Sequence, residues 1–203
     1  MTFRAATTRL AAVGGRFYSR GWVLGTSGNF SAVLSRKPLR LAITQSAAHK
    51  GTLSASQFLT IDERARKVSG PGTKPSAETL LHLELVRQRG AGAVLHTHSV
   101  WSTILSARHA HEGGLALEGL EMLKGLDGVT THAHREWIPI VANDQDMTRL
   151  SGIVRDVLAA HPHAHAFLIE RHGLYTWGAT LADAERHVEI LEFLFEVTGC
   201  EET

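Results

Sequence analysis

Apolar side chains recur along this chain at two periods, and the period decides the element. Over residues 4–19, Leu10, Val13 and Phe17 recur at three- and four-residue intervals, which places them on one helical face, and Gly21 supplies a stop. NFSAVLS (29–35) and LRLAIT (39–44) read as a hairpin of strands around Arg36-Lys37-Pro38, and FLTID (58–62) as a further short strand. After Lys74-Pro75, Ser76 stands where an N-cap belongs, and Leu81, Leu85 and Val86 follow at helical spacing up to Gly90. AGAVLHTH (91–98) is an apolar run that ends in polar residues. Ser99 is placed to cap a helix expected to turn Val100, Ile104 and Leu105 inward.

Beyond Gly113-Gly114, LEGLEMLKGL (117–126) has a helix-like pattern, and WIPIV (137–141) reads as a strand. Asp146 caps a predicted helix carrying Leu150, Ile153, Val154, Val157 and Leu158. AFLIERHG (166–173) is a strand ending at Arg171-His172-Gly173, with LYTWG (174–178) continuing beyond the glycine. Thr180 starts the last helix, with Val188, Leu191 and Phe195 on one stripe. Several consecutive strands lack intervening helices. That argues for an α/β chain with a mostly antiparallel sheet and helices on its faces, and against a regular βαβ repeat.

The 203 residues suit one domain over 1–203, and no repeat or linker divides them. Lys and Arg number 21 and Asp and Glu 20, so the net charge of +1 argues against a nucleic-acid protein that relies on a bulk basic surface. Arg9 and Arg16 interrupt the N-terminal stretch, so it lacks a signal-peptide core. The apolar runs fall far short of the ~20 residues that span a bilayer. A cytoplasmic protein without membrane contact is expected. The single cysteine, Cys200, excludes an intrachain disulfide framework and a Cys-rich zinc finger. Thirteen histidines change the picture, because any transition-metal site here must be built from imidazole and carboxylate.

The histidines cluster at 96/98, 109/111, 132/134 and 161/163/165. In a strand, residues two apart share a face, so His-x-His offers two imidazoles to one ion. His109 and His111 flank a glycine-rich loop, and His161, His163 and His165 surround Pro162, so both groups read as surface. His132 and His134 lie in a polar stretch and stay open as substrate or metal contacts. His96 and His98 leave a buried strand directly and read as metal ligands. His172 repeats that setting and by itself is equally an ordinary strand-end histidine.

Gly25-Thr26-Ser27-Gly28-Asn29 is a glycine-rich turn whose amides and side chains can face an anion, or simply a tight turn. Thr44-Gln45-Ser46 and Lys74-Pro75-Ser76 are further hydroxyl-bearing pieces, and the three together favour a phosphorylated ligand. Neither a P-loop nor a dinucleotide fingerprint is present, so nucleotide hydrolysis is not supported. Two carboxylates stand out. Glu78, at a helix start, is either a capping or an acid/base group, and Glu121 lies among apolar residues or on an exposed helix position.

Taken together, GTSGNFS (25–31), KPSAETLLH (74–82), AGAVLHTHS (91–99), EMLKG (121–125) and RHGLYTWG (171–178) resemble the class II aldolase family over about residues 14–196. Within it they look most like the branch that dehydrates 5-methylthioribulose 1-phosphate in methionine salvage. The resemblance implies a three-layer α/β/α sandwich around a mostly antiparallel sheet. It implies one zinc ion per subunit on His96, His98 and His172, and a homo-tetramer with active sites near subunit contacts. It implies phosphate binding by Ser27, Gly28, Asn29, Ser46 and Ser76, and proton transfer by Glu121, with Glu78 in support. In the aldolase branch the residue matching Glu78 is the acid/base, so a sugar-phosphate aldolase or epimerase is the main alternative. A non-catalytic domain of the same fold and a multi-site zinc binder are the others. Residue 47 departs from the family's Ser-Gly, reading Ser46-Ala47, which questions the phosphate contact there but not the loop.

Overall fold

The computed structural model describes residues 1–202. Five helices and nine strands alternate irregularly along it. The strands are β1 (Asn29–Arg36), β2 (Leu39–Thr44), β3 (Phe58–Ile61), β4 (Lys67–Ser69), β5 (Ala93–Thr97), β6 (Gly114–Glu118), β7 (Arg135–Val141), β8 (Ala166–Ile169) and β9 (Gly173–Gly178). The helices are α1 (Phe3–Ser19), α2 (Thr79–Arg89), α3 (Val100–Arg108), α4 (Met147–Ala160) and α5 (Leu181–Glu201). All nine strands join one sheet in the order β4-β3-β2-β1-β5-β9-β8-β7-β6. Every neighbouring pair is antiparallel except β7 with β8.

Strand alternation sends side chains to two cores, one on each face of the sheet. Leu41, Ile43, Val94, Phe167 and Tyr175 pack with Leu81 and Leu85 of α2 and with Leu150, Val154 and Leu158 of α4. Ala42, Ala93 and Leu95 face the opposite way, onto Leu10, Val13 and Phe17 of α1 and Ala184 and Val188 of α5. Leu105 of α3, with Leu191 and Phe195 of α5, continues that second layer over β6 to β9. The expected sandwich of helices around a mostly antiparallel sheet is present.

The caps read from sequence hold at three helices, with Ser99 Oγ accepting from the Ser102 amide at 3.0 Å at the start of α3. Asp146 accepts from the amides of Thr148 and Arg149 at 3.0 and 3.1 Å, and Thr180 and Asp183 form a reciprocal capping box. Four expectations are corrected. α2 begins at Thr79, and Ser76 instead closes a preceding turn, its hydroxyl accepting from Glu78 N at 3.3 Å. The 166–178 segment reverses at Glu170–His172 instead of running on, so β8 and β9 form a hairpin. In the 117–126 stretch the chain first completes β6, where Leu115 and Leu117 alternate with polar-side neighbours, and only Glu121–Gly125 coils, as a 3-10 turn. On α3, Val100 is 66% exposed and Ile104 also faces out, while Ser102, Leu105 and Ser106 are buried. That helix meets its neighbours through Leu105 and the partly buried Trp101, with Ser102 and Ser106 between them, and leaves Val100 and Ile104 outward.

Candidate metal centre and anion cleft

β5 carries His96 and Thr97 at its end and hands the chain to His98 and the Ser99 cap of α3. As an inner strand it is bonded to β1 on one side and β9 on the other, so its exit is fixed. The β8–β9 turn brings His172 alongside. The three imidazoles converge through their Nε2 atoms, His96 to His98 at 2.7 Å and His96 to His172 at 3.3 Å. Their ligating nitrogens all lie within 4.8 Å of one another, the only such histidine, cysteine or carboxylate group among the described residues.

Two backbone approaches make this convergence possible. A Cβ on Gly28 would stand 2.5 Å from the His96 carbonyl oxygen, and one on Gly173 would stand 2.0 Å from that of Thr97. Only glycine at both positions lets the 25–29 turn and the start of β9 approach β5 this closely.

The donor set fits a divalent metal. His96 Nδ1 donates to the Leu174 carbonyl at 2.8 Å, which fixes the tautomer and leaves the Nε2 lone pair facing the cluster. Burial, with His172 adding to it, holds His96 well below the ordinary imidazole value, and burial with the neighbouring His96 pushes His98 down to about 3. Neutral imidazoles are the form that binds metal.

Glu78 closes the group. Its Oε2 accepts from Asn29 Nδ2 at 2.6 Å and from the Tyr175 hydroxyl at 2.9 Å, and lies 3.4 Å from His96 Nε2. Its Oε1 lies 3.2 Å from His172 Nε2. Behind it, His82 bonds Asn29 Oδ1, and its other nitrogen meets Ser31 Oγ at 2.8 Å. Burial pushes His82 down to about 4 and lifts the Tyr175 hydroxyl, with Glu78 reinforcing the latter. Sequence reasoning did not single out His82 and Tyr175. Both lie in motifs already in view, and the four-residue step from Glu78 to His82 would have put them on one helical face.

A cleft of about 370 Å³ opens over the cluster. Ser27, Gly28, Asn29, Ser46, Ser76, Glu78, His98 and His172 all line it. The three hydroxyl-bearing pieces therefore meet in one place beside the imidazoles. Ala47 lies there with φ of +58°, in the left-handed conformation that favours glycine.

Glu121 is not brought to this cleft within the chain. Its side chain is 71% exposed, with its carboxylate 2.6 Å from Lys124 and 3.8 Å from His132. His134 also lies elsewhere, against the buried Glu136 at 2.8 Å. His165, expected at the surface, is instead largely covered and packs on the same buried carboxylate at 3.0 Å. Burial pushes Glu136 up, yet the hydrogen bonds from His165 and His134 outweigh it and hold the group below the usual range. His109 meets Glu112 and Glu202, and His111 is exposed, as a surface reading requires.

On the opposite face of β5, Thr97 Oγ1 donates to the buried Glu192 at 2.8 Å. Burial raises this carboxyl from 4.5 to about 7. The folded chain thus holds a proton that the unfolded chain has released, and stability falls as pH rises through that window. Glu192→Gln keeps the acceptor oxygen and removes the charge. It is expected to stabilise the protein by about 3 kcal/mol near pH 8, with the gain vanishing toward pH 4.5. Thermal melts at the two pH values check this, and an equal shift at both would show that charge is not the cause.

The family model for the class II aldolase and adducin N-terminal domain matches residues 8–198. The chain belongs to the class II aldolase family. Among relatives in this family, a methylthioribulose-1-phosphate dehydratase from Pseudomonas aeruginosa is 50% identical over 184 residues, covering 90% of this chain and 88% of that protein. The enzyme of the same name from Methylococcus capsulatus is 48% identical over 185 residues, with the same shares covered. That from Sorangium cellulosum is 41% identical over 196 residues, covering 96% and 92%. An L-fuculose 1-phosphate aldolase has the same fold, with a TM-score of 0.80 at 20% identity over 98% of this chain and 86% of that one. As a class II aldolase family member, the chain carries its histidine cluster at a strand exit and its hydroxyl-rich turns on one cleft wall. No helix among the described residues is long and apolar enough to cross a membrane.

Proposed function

We propose that this class II aldolase family member is a lyase that dehydrates 5-methylthioribulose 1-phosphate to the 2,3-diketo-5-methylthiopentyl 1-phosphate, a step of methionine salvage in the cytoplasm. The observation that carries the reading is the meeting of three Nε2 atoms with a hydroxyl-rich cleft wall. The 48–50% identity to dehydratases of that name supports the choice of substrate.

His96, His98 and His172 would hold one zinc ion per chain, since an imidazole set without thiolates suits zinc. The metal supplies Lewis acidity toward the ketone oxygen at C2 of the substrate. Ser27, Gly28, Asn29, Ser46 and Ser76 bind the phosphate and orient the chain of carbons. Glu121 takes the proton from C3. Its carboxyl is held below the usual range by the Lys124 hydrogen bond, so it is ionised and able to accept. The C4 hydroxyl leaves as water with a returned proton, and the C3 enol tautomerises to the 2,3-diketone. Glu78, anchored by Asn29 and Tyr175, keeps the histidines in place.

Exposed on its own chain, Glu121 acts in the cleft of a neighbouring copy, which accords with a homo-tetramer whose sites lie near subunit contacts. A second reading rests on Glu78, the carboxylate that this chain itself brings to the cluster: a sugar-phosphate aldolase or epimerase with Glu78 as acid/base. Incubation of the purified protein with 5-methylthioribulose 1-phosphate tests the first reading. Appearance of the dehydrated diketone supports it, and unchanged substrate in the presence of bound zinc overturns it.

A further inference from the structure

Lys50 is the one buried lysine or arginine among the described residues, at 1% exposure. Taking an ammonium out of water costs several kcal/mol unless its protons are satisfied. Here its Nζ donates to two backbone carbonyls, Thr26 O at 2.9 Å and Ala48 O at 2.6 Å. These carbonyls belong to two different loops. Thr26 lies in the turn before β1, and Ala48 ends the segment that follows β2. The first loop sends Thr26, Ser27, Gly28 and Asn29 to the cleft, and the second sends Gln45, Ser46 and Ala47. Lys50 itself does not line the cleft. It sits behind the wall that both loops form and draws their carbonyl oxygens toward itself.

A carbonyl oxygen facing a phosphate would repel it, and a loop free to turn would present one. Lys50 removes both problems at once. It also leaves a full positive charge, poorly screened by water, behind the cleft wall that these two loops form. Burial lowers its pKa to about 8 while Glu78 opposes the shift, so the ammonium persists at neutral pH.

We propose that Lys50 is a positioning residue for the phosphate of a phosphorylated ligand, clamping the 25–29 and 45–48 loops through their carbonyls and setting a fixed cation behind them. The inference rests on the cleft being the phosphate site, as read above. It assigns no contact between Lys50 and the substrate.

Inorganic phosphate is the probe. Lys50→Met removes the charge and both donated bonds at nearly the same volume. Phosphate affinity is expected to fall roughly 10-fold or more, as loss of a nearby poorly screened charge implies. The KM for 5-methylthioribulose 1-phosphate should rise in parallel, with kcat within about threefold of wild type. Lys50→Arg should regain part of the phosphate affinity. A purely structural role would lower the melting temperature and leave the phosphate affinity of the folded fraction unchanged; that result, or a loss confined to kcat, overturns the proposal. Should Lys50→Met not fold, the wild-type protein decides: the ¹⁵N signal of the Lys50 ammonium shifts as phosphate saturates the cleft, and an unmoved signal overturns the proposal. A wild-type protein that binds no phosphate overturns the reading of the cleft and this inference with it. Phosphate binding that is indifferent to Lys50 overturns the inference alone.

Discussion

Replacing His96 by alanine is expected to empty the metal site and to lower turnover by about 10³-fold or more. Lewis-acid stabilisation of a developing oxyanion contributes several kcal/mol, and each 1.4 kcal/mol is about a factor of ten in rate. Of the three imidazoles, His96 is the one whose position is most tightly determined. It is fully buried, its ring stacks on Tyr175 with centroids 3.9 Å apart, and its Nδ1 is held by the Leu174 carbonyl at 2.8 Å. Its Nε2 also stands between those of His98 and His172, so its loss leaves two ligands with nothing to bridge them. Metal content per chain and steady-state dehydration rate are the measurements. A folded variant that keeps both its zinc and its rate would remove the histidine cluster from the chemistry.

Glu121→Gln should lower kcat by about 10²-fold or more, the usual contribution of a general base, while leaving metal content unchanged. Glu78→Gln should act differently. Both oxygens of Glu78 are engaged, with Asn29, Tyr175, His96 and His172 all within 3.4 Å, so its loss loosens the ligands and reduces metal retention along with rate. The opposite outcome, with Glu78→Gln inactive but metal-loaded and Glu121→Gln fully active, would turn the assignment to an aldolase or epimerase. Because Glu121 lies outside its own chain's cleft, complementation gives an independent check. Glu121→Gln chains mixed with His96→Ala chains under conditions of subunit exchange should recover activity that neither has alone. No recovery in a verified mixed oligomer would mean that one chain supplies both groups.

The sheet and the cluster were legible in the sequence for the same reason. The unbroken apolar run at residues 93–95 marks a strand buried on both faces, and a buried strand that breaks off into His-x-His presents its imidazoles at a fixed exit. The hydroxyl-bearing turns were legible as separate pieces, but only folding places Ser27, Ser46 and Ser76 on one cleft. Three features were hidden by physics that patterning ignores. β6 has five residues opened by glycine, too few for a period of two to stand out. α3 buries Ser102 and Ser106 beside Leu105, so a reading by hydrophobicity turned Val100 and Ile104 the wrong way. Lys50 and Glu192 look like ordinary surface charges in a sequence, because burial of a charge depends on partners from other segments: the Thr26 and Ala48 carbonyls for one, the Thr97 hydroxyl for the other.

The three clustered imidazoles come from two strands that lie side by side in the sheet but far apart in the chain. His96 and His98 leave β5, and His172 immediately precedes β9. An unfolded chain presents a pair of imidazoles at best, so an ion on all three binds the folded state almost exclusively. Free ion at 1,000 times its dissociation constant then adds about 4 kcal/mol to the folding equilibrium. That is a large share of the 5–15 kcal/mol by which most proteins are stable. Metal supply in the cell would thus govern how long each molecule survives proteolysis as well as how fast it turns over.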